Sequence, residues 1–180
     1  MIAPGHATAL LATVLEPGER VIWAARPDLW TTIRNKAFLW WIGVPWCIGV
    51  IGLSLAGRGS PIVAAPLALV GFALMATPIL LAIDTQYTLY AVTDRRALIL
   101  RNGLLKPGLV SCAFDRMDEV LEVMTSGGKS GHLYFASNMP TKMRDVDYTG
   151  KLAFRDLADV QEASLNLERA RKEALPAKAV

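Results

Sequence analysis

Charge is almost absent from residues 37–83: Arg58 is the one Asp, Glu, Lys or Arg in that stretch. Cysteine and histidine are scarce too, with two of each in 180 residues. These shortages exclude several chemistries. Cys47 falls inside an apolar run and Cys112 in an expected strand, so no disulfide between them is expected in a reducing compartment. His6 and His132 have no ligand spacing with each other or with the cysteines. No phosphate loop or nucleophile motif occurs, and no set of acid, base and metal ligands converges. Neither an enzyme nor a bound metal or cofactor is therefore expected.

What is present is apolar length. Residues 37–56 and 62–83 carry no charged side chain, and only 57–61 separate them. A helix needs roughly 20 apolar residues to cross a hydrocarbon core of about 30 Å. Each run is long enough, and the connector can only reverse direction. The expectation is a two-helix transmembrane hairpin with both ends of the chain on one side. Buried core helices of a soluble protein fit less well, because the rest of the chain is small and rich in charge. A signal peptide fits poorly, because the first run starts deep in the sequence.

Orientation follows from Lys and Arg. Arg20, Arg26, Arg34 and Lys36 precede the first run, and Arg95, Arg96, Arg101 and Lys106 follow the second, against Arg58 alone in the connector. The positive-inside rule then puts both termini in the cytoplasm. Trp40 and Trp41 open the first run where an aromatic belt is expected, with Trp30 just before it. With no ionisable residue inside either run, a structural rather than conducting role is expected. Small residues recur at helical spacing: Gly49, Gly52 and Ala56 in the first run, Ala64, Ala68 and Gly71 in the second. Such faces allow close helix approach, either within the hairpin or against another membrane protein.

The division expected is 1–36 as an N-terminal cytoplasmic segment, 37–83 as the hairpin, 84–175 as a cytoplasmic domain and 176–180 as a tail. Residues 84–180 hold 14 Lys and Arg against 13 Asp and Glu. That balance argues against a nucleic-acid surface, while a mildly basic ring beside a bilayer suits anionic headgroups. β-formers bounded by turn residues predict strands at 86–92, 96–101, 109–114, 119–125, 132–136 and 151–154. Residues 126–129 read as a hairpin loop and 137–148 as a longer loop. A C-terminal helix follows, with Asp156 as its N-cap, Leu157, Val160, Ala163, Ser164 and Leu167 on one face, and Pro176 as its stop. Residues 20–24 read as a further strand and 7–15 as a short helix.

Taken in order, these segments resemble a family. Residues 15–23, LEPGERVIW, lead to Arg26-Pro27, then the apolar hairpin, then YTLYAVTDRRALILRNG at 87–103. This looks like the bacterial pleckstrin-homology (PH-like) membrane proteins, with a weaker likeness to photosynthetic-complex assembly proteins of purple bacteria. The resemblance covers residues 15–154. It implies an α+β membrane protein of the bacterial inner membrane: a hairpin plus a seven-stranded antiparallel barrel or sandwich capped by a C-terminal helix, residues 20–24 supplying the seventh strand. It implies a fold more than an activity. Relatives that bind lipid headgroups use basic residues in the first hairpin loop, here 93–96, which offers only Arg95 and Arg96. The Thr93-Asp94-Arg95-Arg96 turn is open to two readings, a structural turn or a contact for a headgroup or partner.

Two functions remain. One is a non-catalytic scaffold, an assembly factor or accessory subunit binding another integral membrane protein complex or itself through the small-residue faces. The other is a module that senses anionic lipid, with Trp40, Trp41, Arg95 and Arg96 at the bilayer interface.

Overall fold

A computed structural model describes residues 11–102, 108–125, 128–140 and 146–175. The chain is α+β, and among the described residues it has four helices of eight residues or more and two antiparallel sheets. Strand β1 (Val21–Ala25) comes first, then helix α1 (Leu29–Lys36), then two long apolar helices, α2 (Phe38–Leu55) and α3 (Pro61–Thr85). Strands β2 (Thr88–Thr93), β3 (Arg96–Arg101) and β4 (Gly108–Ala113) follow, and a 3-10 turn spans Phe114–Arg116. Then come β5 (Leu121–Met124), β6 (Gly131–Ala136), β7 (Leu152–Leu157) and helix α4 (Val160–Ala174).

Helices α2 and α3 match the two charge-free runs to within two residues at each end. Pro45, Pro66 and Pro78 are accommodated without interrupting either helix. Only 11% and 17% of their most apolar windows is buried, so neither is the core helix of the sheet domain. They cross where side chains are smallest. A Cβ on Gly43 would stand 2.9 Å from Met75 Cγ and 3.2 Å from the Gly71 carbonyl. One on Gly71 would run into Cys47 Sγ and stand 2.9 Å from Trp46 Cδ1.

The sheets run in the order β1-β2-β3-β4 and β5-β6-β7, and among the described residues they do not close into a barrel. β2 is buried at every position, which period-2 alternation explains. Tyr90 and Val92 face the main core between the sheets and α4. Leu89 and Ala91 face the other way, where Leu11 and Leu15 cover them together with Leu98 and Leu100. The N-terminal segment thus supplies both a strand and a lid for the outer face of the first sheet. Of the short helix expected at 7–15, residues 7–10 lie outside the described residues. So do Gly103, Lys106, Ser126, Gly127, residues 141–145 within the expected loop, and the tail from Pro176.

Two differences from the sequence expectations are informative. The N-cap of α4 is Asp159, whose carboxylate accepts from Glu162 N–H at 3.0 Å. Asp156 instead belongs to β7, with φ +52°, and Leu157 is a core strand residue. The strand runs on because partners on α1 hold Asp156. The other difference is α1 itself, which was not anticipated between the strand and the first apolar run. Asp28 caps it, accepting from Thr31 N–H at 2.7 Å.

Four aromatic rings join the sheets across the core. Phe154 on β7 stacks on Tyr90 of β2 at 4.8 Å, meets Phe135 of β6 at 4.7 Å and lies 6.0 Å from Trp23 of β1. It is fully buried. Phe154→Ala removes all three contacts and should destabilise the domain by about 3–5 kcal/mol. Thermal melts followed by near-UV circular dichroism in detergent measure this, and an unchanged melting temperature would contradict the packing described.

Candidate functional site

The residues that carry the recognisable motifs form one bonded cluster. Glu19 is buried just before β1, and the turn Thr93–Arg96 closes β2 onto β3. Arg96 donates Nε–H to Glu19 Oε1 at 2.9 Å and Nη2–H to Oε2 at 2.8 Å, a two-pronged pair. Its Nη1 lies 3.1 Å from Glu16, and Arg95 lies 3.6 Å from the same carboxylate. Thr93 Oγ1 donates to Glu19 Oε1 at 2.8 Å and accepts from the N–H groups of Arg95 and Arg96. Asp94 accepts from Arg20 N–H at 3.1 Å and returns its own N–H to the Arg20 carbonyl. The hydrogen bonds from Arg96 hold the Glu19 carboxyl down to about 2.

Strand register locates this cluster. Val21 pairs with Thr93, while Ala25 pairs with Tyr90. The chain leaves β1 at Ala25 for the helices and returns from them into β2 at Thr88. Thr93–Arg96 therefore sits at the opposite end of both strands from the apolar hairpin, about 17 Å along β2. Arg96 is committed to Glu19 and Glu16, and Arg95 is exposed beside Glu16. The turn is not placed beneath the helices, because β2 carries the chain away from them.

A second cluster ties α1 to the second sheet. Asp156 Oδ1 accepts from Asn35 Nδ2 at 2.6 Å and Oδ2 from Thr32 Oγ1 at 3.1 Å. Its carbonyl accepts from Asp28 N–H at 2.6 Å, and its own N–H donates to His132 Nδ1 at 3.0 Å. Because Nδ1 accepts, the His132 proton is on Nε2. Burial pushes its pKa down against the opposing pull of Asp156. Arg34 reaches the β5–β6 loop, donating Nη2–H to Ser130 Oγ at 2.9 Å. α1 also packs along α3. Nothing in the sequence around Asp156 signalled this cluster, since its partners Asp28, Thr32 and Asn35 come from the other side of the apolar hairpin.

Between α1, the first turn of α2 and the β5–β6 loop lies an open groove of about 620 Å³, bounded by Trp30, Arg34, Trp40 and Lys129. Trp40 turns into the hairpin and donates its indole N–H to the Met75 carbonyl at 2.8 Å. Trp41 points outward and is 84% exposed. The small-residue faces divide. Gly71 lies inside the hairpin, and Ala64 and Ala68 are half-buried. Gly49, Gly52 and Ala56 are exposed, and a Cβ on either of those glycines would meet nothing within 4 Å.

Among the described residues no group of three or more His, Cys, Asp and Glu could hold a metal ion. Burial pushes the Cys112 thiol up, away from the reactive thiolate. No protein-family model, curated protein or solved structure matches the chain.

The Glu19–Arg96 pair predicts an acid-labile domain. The Glu19 pKa lies at about 2 against an ordinary 4.5, so its stabilising contribution is complete above 4.5 and is lost as pH falls towards 2. Glu19→Gln should cost about 3 kcal/mol at pH 7, the low end for breaking a buried pair, because Arg96 keeps Glu16. It should also flatten the loss of stability between pH 4.5 and 2. Parallel melts at pH 7 and pH 3 test both. Equal pH dependence in the two proteins would show that Glu19 is not the group being titrated.

Proposed function

We propose that this chain is a non-catalytic scaffold of the bacterial inner membrane. Its apolar hairpin spans the bilayer, and a PH-like domain stands on the cytoplasmic side. The pair docks on another integral membrane protein complex as an assembly factor or accessory subunit. The observation that carries this reading is the rigid junction. A tether needs only a flexible linker, yet here α1 is capped by Asp28, bonded to Asp156 through Thr32 and Asn35, and packed along α3. The domain is thereby fixed relative to the helices, as suits a composite surface presented to a partner.

Supporting features are the length and exposure of α2 and α3, and the excess of Lys and Arg outside the connector. Among the described residues, seven antiparallel strands in a four-plus-three arrangement, followed by a C-terminal helix, support the PH-like reading. The motif clusters are engaged within the chain, which favours a scaffold over a catalyst.

Orientation is tested at Ser60, in the exposed connector. A Ser60→Cys variant, with Cys47→Ala and Cys112→Ala, should react with a membrane-impermeant thiol reagent in intact cells. Labelling only after lysis would reverse the proposed topology.

Docking is tested on the open glycine face. Gly49→Leu with Gly52→Leu should leave the hairpin and domain intact, since each added side chain enters open space. It should abolish recovery of a stoichiometric membrane partner in mild detergent. Gly71→Leu, by contrast, should separate α2 from α3 because Cys47 and Trp46 occupy that space. Recovery of the bare chain alone, with or without the substitutions, would refute the scaffold reading.

A further inference from the structure

The groove at the foot of the hairpin has no role in the scaffold reading, and its chemistry is two-sided. One wall is cationic. Arg34 is exposed and bonds Ser130 and, at 3.5 Å, Thr125 through Nη2 alone, so its Nε and Nη1 donors have no partner among the described residues. Lys129 is exposed on the facing loop. Among the described residues neither cation has a carboxylate within ion-pair distance. Asp28 is the one carboxylate in the lining, and its Oδ2 accepts from Thr31 N–H and Oγ1, both at 2.7 Å. The other wall is apolar: Ile33, Ala37 and the ring of Trp40. Trp40 belongs to the first turn of α2, so this wall continues into the exposed surface of the apolar helices. Trp30 stands at the rim, 73% exposed.

We infer that this groove holds one anionic phospholipid of the surrounding bilayer. Its phosphate lies between Arg34 and Lys129, and its acyl chains run down past Ile33, Ala37 and Trp40 onto the hairpin. The inference rests on the reading that α2 and α3 are membrane-embedded. Charge complementarity and continuity with the apolar helices select this occupant. A soluble phosphate would leave the apolar wall and the Trp30 indole bare. A partner helix would bury two cations without counter-charges. An indole at the rim matches the preference of tryptophan for the headgroup level. The site is distinct from the Thr93–Arg96 turn, whose Arg96 is held by carboxylates at the other end of the sheet. A lipid seated here bridges α1 and the β5–β6 loop, so it reinforces the contact that Arg34 makes with Ser130.

The test is native mass spectrometry of the full chain in neutral detergent, with phosphatidylglycerol or phosphatidylcholine of identical acyl chains. The wild-type chain should retain phosphatidylglycerol about 25-fold more strongly, as expected of two cations each worth about a fivefold preference. Lys129→Gln should lower that retention about fivefold and leave phosphatidylcholine unchanged. Arg34→Gln with Lys129→Gln should abolish the preference. Lys129 makes no side-chain bond among the described residues, so its single variant keeps the fold even if loss of the Arg34 bond loosens α1.

Equal retention of the two lipids by the wild-type chain, or undiminished preference in the double variant, overturns the inference. Full displacement of phosphatidylglycerol by millimolar glycerol phosphate also overturns it, in favour of a soluble-anion site. Alkaline carbonate extraction of membranes separates the two levels. A chain that resists extraction but shows no lipid preference defeats the groove alone. A chain that is extracted defeats the membrane reading and the groove with it.

Discussion

The antiparallel pairing of β1 with β2 bears on every other part of this protein. These neighbours in one sheet are separated in sequence by residues 26–87, the whole of α1, α2 and α3. The helices therefore take the place of a turn. Closing so long a loop costs conformational entropy before any strand contact forms, and the structure binds the pairing at both ends. At one end Glu19 reaches Thr93 and Arg96, and Asp94 exchanges hydrogen bonds with Arg20. At the other, α1 carries the chain from β1 to the helices while bonded to β7 through Asp156. Between them Trp23 enters the aromatic cluster around Phe154. The two charged motifs of the sequence thus serve one purpose, holding a strand from before the apolar hairpin in register with a strand from after it.

How much of this could be read from the sequence depends on the range of the interactions involved. The apolar helices were legible because absence of charge over some twenty residues is a local property. Most strands were legible because runs such as 96–101 combine β-formers with turn residues on either side. The extra strand near 20–24 was also visible, and the structure sets it at Val21–Ala25 against β2. What failed was anything decided by a distant partner. Asp156 and Asp159 are equally good caps by local rules. Thr32 and Asn35, far earlier in the chain, hold the first of them in the strand. Helix α1 is only eight residues long and adjoins a strongly apolar run that masks its pattern. The Thr93–Arg96 turn could not be placed without knowing that β2 leads away from the helices.

The candidate surfaces sort by the same logic. Of the six small residues on the apolar helices, Gly71 lies at the crossing of α2 and α3, whereas Gly49, Gly52 and Ala56 face outward. Of the four interfacial residues read from the sequence, Trp40 is turned into the hairpin by its bond to Met75, and Trp41 remains outward. Arg96 is held by two carboxylates, while Arg34 and Lys129 at the base of the helices have none among the described residues. Charge counts along the sequence could not separate these cases, because pairing is settled only once the strands are in register.

The interrupted sheet also constrains the order of events during biosynthesis. When the ribosome has produced β1, its partner strand lies beyond both apolar helices. A strand and its covering residues, Leu11 and Leu15, must wait unpaired while those helices are synthesised. The domain can complete its first sheet only after both helices and β2 have been made. Until β1 pairs with it, β2 has an open edge and an uncovered apolar face.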